Sequence, residues 1–176
     1  MHTKYREPIN KKYLIISIIG VTIFAILLAV FTPKFSSNTK QVARQTTPEY
    51  KSIQKNLNQK FNQNGRVVTI KTEQNINDST SRHPHSVVVI RLTDKQTQKY
   101  LKTSYEAVQS GQATDDQKMY VYSIQDIVSK QAKKLDNNYD VIQFVYKDGK
   151  KFIPVASSQK NKFLIKPVKL KNQTNS

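Results

Sequence analysis

The run Tyr13–Thr32, YLIISIIGVTIFAILLAVFT, constrains this chain more than any other feature. It contains no charged residue and is bracketed by Lys12 on one side and Pro33-Lys34 on the other. At about 1.5 Å rise per residue, roughly 20 residues span about 30 Å, the thickness of a bilayer's hydrocarbon core. A helix satisfies all its backbone groups internally, so a segment this long and apolar is expected to cross a membrane as one helix. A secretory signal has a shorter apolar region, about 7–15 residues, and ends near small residues. Here the run ends Ala29-Val30-Phe31-Thr32, bulky where a cleavage site needs small side chains, so it is expected to be retained as an anchor. The chain has no cysteine, which excludes lipid attachment at a lipobox thiol.

The flanks of the run set an expected orientation. Residues 1–12 carry Lys4, Arg6, Lys11 and Lys12 against one acid, Glu7. On the other side Lys34, Lys40, Arg44 and Lys51 are spread over a longer stretch. Dense basic residues beside an apolar helix favour the cytoplasm, so 1–12 is expected to be a basic cytoplasmic tail and the rest extracytoplasmic. The opposite orientation is the alternative.

Beyond the anchor, about 140 residues remain, enough for one domain with its own core. The tail holds four of the 29 Lys and Arg and one of the 12 Asp and Glu. The remainder therefore carries 25 bases and 11 acids, a formal charge of +14. Such a surface attracts polyanions in a salt-dependent way. Outside the cell the expected partners are anionic lipid headgroups, a wall polymer or an acidic envelope protein. Nucleic acid joins them only if the domain faces the cytoplasm. Dispersed lysines also keep a domain soluble, and charge alone names no partner. Without cysteine there is no disulfide, no thiolate nucleophile and no Cys-based metal site. The bias towards Lys, Asn and Gln, with only 4 Gly, is similar to that of Gram-positive surface proteins encoded by AT-rich genomes.

Residues 33–46, PKFSSNTKQVARQT, are polar and unpatterned and are expected to form a stalk. The domain is expected over 47–170. Thr47, Pro48 and Glu49 are suited to a helix cap, first position and first turn. Tyr50, Ile53, Leu57 and Phe61 then form one apolar stripe, with Gly65 as the expected stop. Strands are expected at Arg66–Thr72, Ser86–Leu92 and Asp140–Tyr146. Asp148-Gly149 signals a hairpin into KKFIPVA, whose Pro154 places that strand at an edge. A fifth strand is expected from Phe163, broken by Pro167, and 171–176 is expected to be disordered.

Two helices are expected between the second and third strands. Thr93 with Gln96 makes a capping-box pattern for the first, which runs to Gly111. The second is expected at about Ser123–Asp136, with Met119–Tyr122 readable either as a short strand or as an earlier helical turn starting near Thr114. The expected class is α+β, a mostly antiparallel sheet of four or five strands packed by helices. One long helix cradled by a curved sheet would give a cystatin-type or NTF2-type outline, an architectural likeness that no motif supports.

No catalytic motif stands out. His83-Pro84-His85 with Asp78 is the single cluster of metal-type ligands, but zinc needs three or four at fixed spacing, and no metal or other cofactor is expected. Ser52-Ile53-Gln54-Lys55 matches Ser-x-x-Lys literally but falls on the stripe helix without companion motifs. Asp115-Asp116 suits a helix start better than a glycosidase pair. With no phosphate loop either, the chain is expected to be non-catalytic.

The densest basic stretch is C-terminal. Lys147, Lys150, Lys151, Lys160, Lys162, Lys166 and Lys169, followed by Lys171, are the candidate residues for an anionic partner. The plainer account is that they protect an exposed strand edge. Of the nine tyrosines, those at secondary-structure spacing fit a core, while Tyr5 and Tyr13 fit a membrane interface. The functional expectation is a membrane-anchored, non-catalytic binding or scaffolding domain in an envelope-associated assembly. A cytoplasm-facing nucleic-acid binder and an envelope hydrolase or transferase are the alternatives.

Overall fold

A computed structural model describes residues 48–170. The expected tail, membrane helix and stalk, the Thr47 cap, Tyr5, Tyr13, Lys171 and the rest of 171–176 lie outside the described residues. Among the described residues no helix is long and apolar enough to cross a membrane.

The stripe helix is α1 (Pro48–Phe61). Tyr50, Ile53 and Leu57 are buried, and the half-buried Phe61 ring lies 5.0 Å from that of Phe144. The helix ends four residues before Gly65 because Asn62 leads the chain out of it. Its Oδ1 accepts from Val67 N (2.8 Å) and Val68 N (2.9 Å), and its Nδ2 donates to Asn58 Oδ1 (2.7 Å). These bonds supply partners for backbone donors at a turn, where unmatched groups would be costly.

Five strands follow in the order β1-β2-β3-β4-β5: β1 (Val68–Ile76), β2 (His85–Leu92), β3 (Val141–Asp148), β4 (Lys151–Gln159) and β5 (Lys162–Phe163). Neighbours are antiparallel except β2 and β3, which run parallel. The sheet is therefore mixed rather than simply antiparallel. Its parallel pair follows from the crossover through α2 (Lys95–Ser110) and α3 (Asp115–Ala132), which a parallel connection requires. Instead of one long helix cradled by a sheet, three helices share one core with it.

That core alternates along the strands. Val88, Ile90 and Leu92 of β2 and Ile142, Phe144 and Tyr146 of β3 join Leu101 of α2 and Val121, Ile124 and Val128 of α3. Each fully buried side chain of this size contributes about 1.5–3 kcal/mol over exposure. Val89, Val141 and Val145, on the intervening positions, are buried too, so the central strands read as nearly continuous apolar runs.

Several boundaries differ from expectation for local reasons. β1 continues past Thr72 to Ile76 because an irregularity between Glu73 and Ile76, with Asn75 at φ 58°, restores pairing opposite His85. The cap of α2 is Asp94, which accepts from Thr97 N (2.7 Å), while the Thr93 hydroxyl donates to Val67 O (3.0 Å). Gly111, at φ 76°, ends α2 in the left-handed conformation. α3 starts at the earlier of the two expected places. Thr114 and Gln117 form a reciprocal capping box, Asp115 and Asp116 occupy the first turn, and Met119–Tyr122 is helical. It stops at Ala132, short of Asp136.

Pro154 pairs opposite Val145, where β4 has no neighbour on its other side, since β5 reaches only Ser158 and Gln159. Of the last strand expected from Phe163, only Phe163 is strand, together with Lys162 before it in β5. Beyond them Leu164 N and Ile165 N donate to Ser157 O (2.9 and 3.2 Å), and Val168 N donates to Gln125 Oε1 (2.8 Å). The buried Gln125 also donates to Val155 O (3.0 Å), so one amide ties α3 to β4 and to the C-terminal segment.

Candidate functional site

Among the described residues β1 is an edge strand, with β2 its one neighbour in the sheet. α1 runs beside it, and Lys51, Gln54, Lys55, Asn58 and Asn62 recur at helical spacing on the side turned to that edge. Between helix and strand lies an open groove of about 700 Å³, completed by Gly65, Arg66 and Val68–Lys71. The Gln54 amide donates to Thr72 Oγ1 (2.8 Å) and holds the helix at this distance from the strand.

Lys51, Lys55, Arg66 and Lys71 are exposed, and none forms an ion pair with a described residue. Among the described residues, no acidic side chain lines the groove. Four cations around one trough, with no counter-charge, raise the local concentration of anions. Ordinary small-molecule sites are enclosed; this groove is open and carries four cationic side chains, and so suits an extended anionic chain.

The C-terminal lysines, adjacent in sequence, are separated in space. Lys147, Lys150 and Lys151 surround the β3–β4 turn, whereas Lys160 and Lys162 surround the β4–β5 turn. Nine residues of β4 lie between the two turns, about 26 Å at 3.3 Å per residue. Lys166 and Lys169 are exposed on the segment that passes Gln125. At the first turn Lys102 meets Asp148 (2.8 Å), and that bond holds its ammonium above the ordinary lysine range.

The two histidines beside Pro84 occupy different surroundings. His83 is exposed, its ring 5.8 Å from Tyr139. His85 is buried, its Nε2 3.2 Å from Thr80 Oγ1 and 3.8 Å from Asp78 Oδ1. Asp78 Oδ1 is itself taken by Thr80 N (2.8 Å) and Thr80 Oγ1 (2.5 Å). Among the described residues no three His, Cys, Asp or Glu side chains are placed to hold a metal ion. Ser52 and Lys55 are both exposed on α1, one turn apart.

A buried polar node was not visible in the sequence. Asp140 accepts from the Tyr50 hydroxyl, from Asn137 Nδ2 (2.6 Å) and from Ser86 N (2.7 Å). Burial first, and then the bond to Asp140, hold the Tyr50 hydroxyl above the ordinary tyrosine range. Glu49 accepts from Asp136 N (2.7 Å). Burial, the side-chain bond with Asp136 and the charges of Asp136 and Asp140 push Glu49 up to about 7. An Asp ahead of an apolar strand gives no sequence signal of such a role. These groups tie α1 to β2 and to residues 136–140.

No protein-family model, curated protein or solved structure matches the chain.

Proposed function

We propose that this chain is a single-pass membrane protein whose basic domain binds an anionic envelope partner without catalysing a reaction. Residues 13–32 form the anchor, 1–12 lie in the cytoplasm, and the 33–46 stalk carries the domain outside the cell. The long apolar run and the denser basic flank on its N-terminal side support this arrangement. The observation that carries the binding role is the groove between α1 and β1, with four cations and no acid. Its occupant is a phosphate- or carboxylate-rich chain, such as a wall polymer or an acidic stretch of an envelope protein. Ammonium groups from separate elements contact successive charges along it, and the affinity falls as salt rises.

The test has two parts. A C-terminal tag on the full chain is digested in intact, wall-stripped cells while cytoplasmic controls are protected. A tag protected until permeabilisation reverses the orientation and makes nucleic acid the partner to examine. The full chain is then assayed on a polyglycerol-phosphate polymer with Lys55→Glu, Arg66→Glu and Lys71→Glu combined. The expected loss is at least tenfold, about 1.4 kcal/mol, with a shallower salt dependence. Unchanged affinity removes the groove from the function.

A further inference from the structure

A second group of cations lies at the end of the domain where the chain enters it. α1 begins at Pro48, and Asp136 N donates to Glu49 in its first turn, which fixes the segment after α3 at this end. Asn161 Nδ2 donates to Asn138 Oδ1 (2.9 Å), so the β4–β5 turn stands beside that segment. Gln159 Nε2 reaches both Tyr139 O (3.2 Å) and Thr80 O (3.4 Å), bringing the loop after β1 alongside.

Lys133, Lys134, Lys160 and Lys162 therefore come from two segments to one end, and none forms an ion pair with a described residue. Two aromatic side chains stand among them, Tyr139 at 39% exposure and Phe163 at 50%. The acids of this end are engaged. Asp140 and Asp78 are hydrogen-bonded inside the domain, and Glu49 and Asp136 face each other.

We propose that this end rests on an anionic bilayer, with the four lysines over lipid phosphates and Tyr139 and Phe163 at headgroup level. The inference rests on the membrane-anchor reading and deepens it by naming the surface the domain meets. Three arguments support it. Lysines beside exposed aromatic rings match a membrane interface, where amphipathic rings sit at the headgroups and basic groups meet anionic lipid. Only residues 33–47 separate the apolar run from this end in the sequence, and 15 residues reach at most about 50 Å. The other basic turn, at Lys147–Lys151, lies about 26 Å away along β4 and shares its site with Asp148.

The test uses the full chain in vesicles. It has no native cysteine, so Ser79→Cys at this end and Lys150→Cys at the far turn each give a single probe site. A fluorophore at each is quenched by nitroxide on lipid headgroups. In vesicles containing phosphatidylglycerol, strong quenching is expected at position 79 and little at position 150. Pure phosphatidylcholine is expected to abolish the difference, as is combining Lys133→Glu, Lys134→Glu, Lys160→Glu and Lys162→Glu. The pair Lys160→Gln and Lys162→Gln, confined to a surface turn, gives the same test with an intact fold, at about fivefold less docking per lysine. Flotation with equal quenching at both positions overturns the docking alone. A chain that fails to float with vesicles overturns the anchor and the docking together.

Discussion

Asp140 is buried and Glu49 only partly so, and the two carboxyl groups meet opposite surroundings. Asp140 accepts from three donors inside the domain, Tyr50, Ser86 and Asn137. Glu49 has one backbone donor and two acidic neighbours, Asp136 and Asp140, so its protonated form is favoured and it titrates near 7 rather than 4.5. The folded state holds this proton more tightly than the unfolded chain. Stability from Glu49 is therefore fully present below 4.5 and is lost as pH rises through about 7. Glu49→Gln is expected to flatten the decline of the urea midpoint across that window and to stabilise the domain above it. A variant that keeps the wild-type slope places the titration on another group.

Among the elements, β4 depends on a side chain remote from it in sequence. Gln125 of α3 donates to Val155 O and accepts from Val168 N, joining the strand to the segment that closes its edge. Gln125→Leu leaves both backbone groups without that partner and is expected to cost about 1–3 kcal/mol in denaturant titration. Faster amide exchange at Val168 should accompany it; unchanged exchange there would remove Gln125 from the attachment. Such links explain which parts of the fold were legible. The stripe Tyr50-Ile53-Leu57-Phe61, the Gly111 stop and the Asp148-Gly149 turn rest on local rules and appear where the sequence places them. Thr93 loses the cap to Asp94 because Val67 O takes its hydroxyl, a contact between distant residues. The extension of β1 and the parallel β2–β3 pairing likewise depend on partners that no window of sequence contains.

Over the whole molecule, positive charge collects at places that sequence proximity does not mark. Lys51 and Lys55 come from a helix, Arg66 from a turn and Lys71 from a strand, so each reads locally as a solvated surface residue, yet together they line one groove. The C-terminal lysines form one run in sequence but are apart in space, because a nine-residue strand separates the first turn from the second. The sheet has a comparable division. β1 and β2 make one antiparallel pair, β3 and β4 another, and a single parallel seam joins them. Across that seam Val87 meets Val141, 54 positions further along the chain. Closing a loop of that length costs roughly 3.5 kcal/mol of chain entropy plus a constant, far more than the tight turn at Gly149. Each antiparallel pair should thus form before the seam closes, which sets the order of events during folding. In stopped-flow refolding, Val141→Ala, whose strand partner Val87 lies across the seam, is expected mainly to speed unfolding, whereas Gly149→Ala, strained at φ 58°, should slow refolding. Slower refolding from Val141→Ala would instead put the seam in the nucleus. With the seam closing last, the late stage of folding is the docking of two preformed halves, and the domain's slowest step is set by the helical crossover between them.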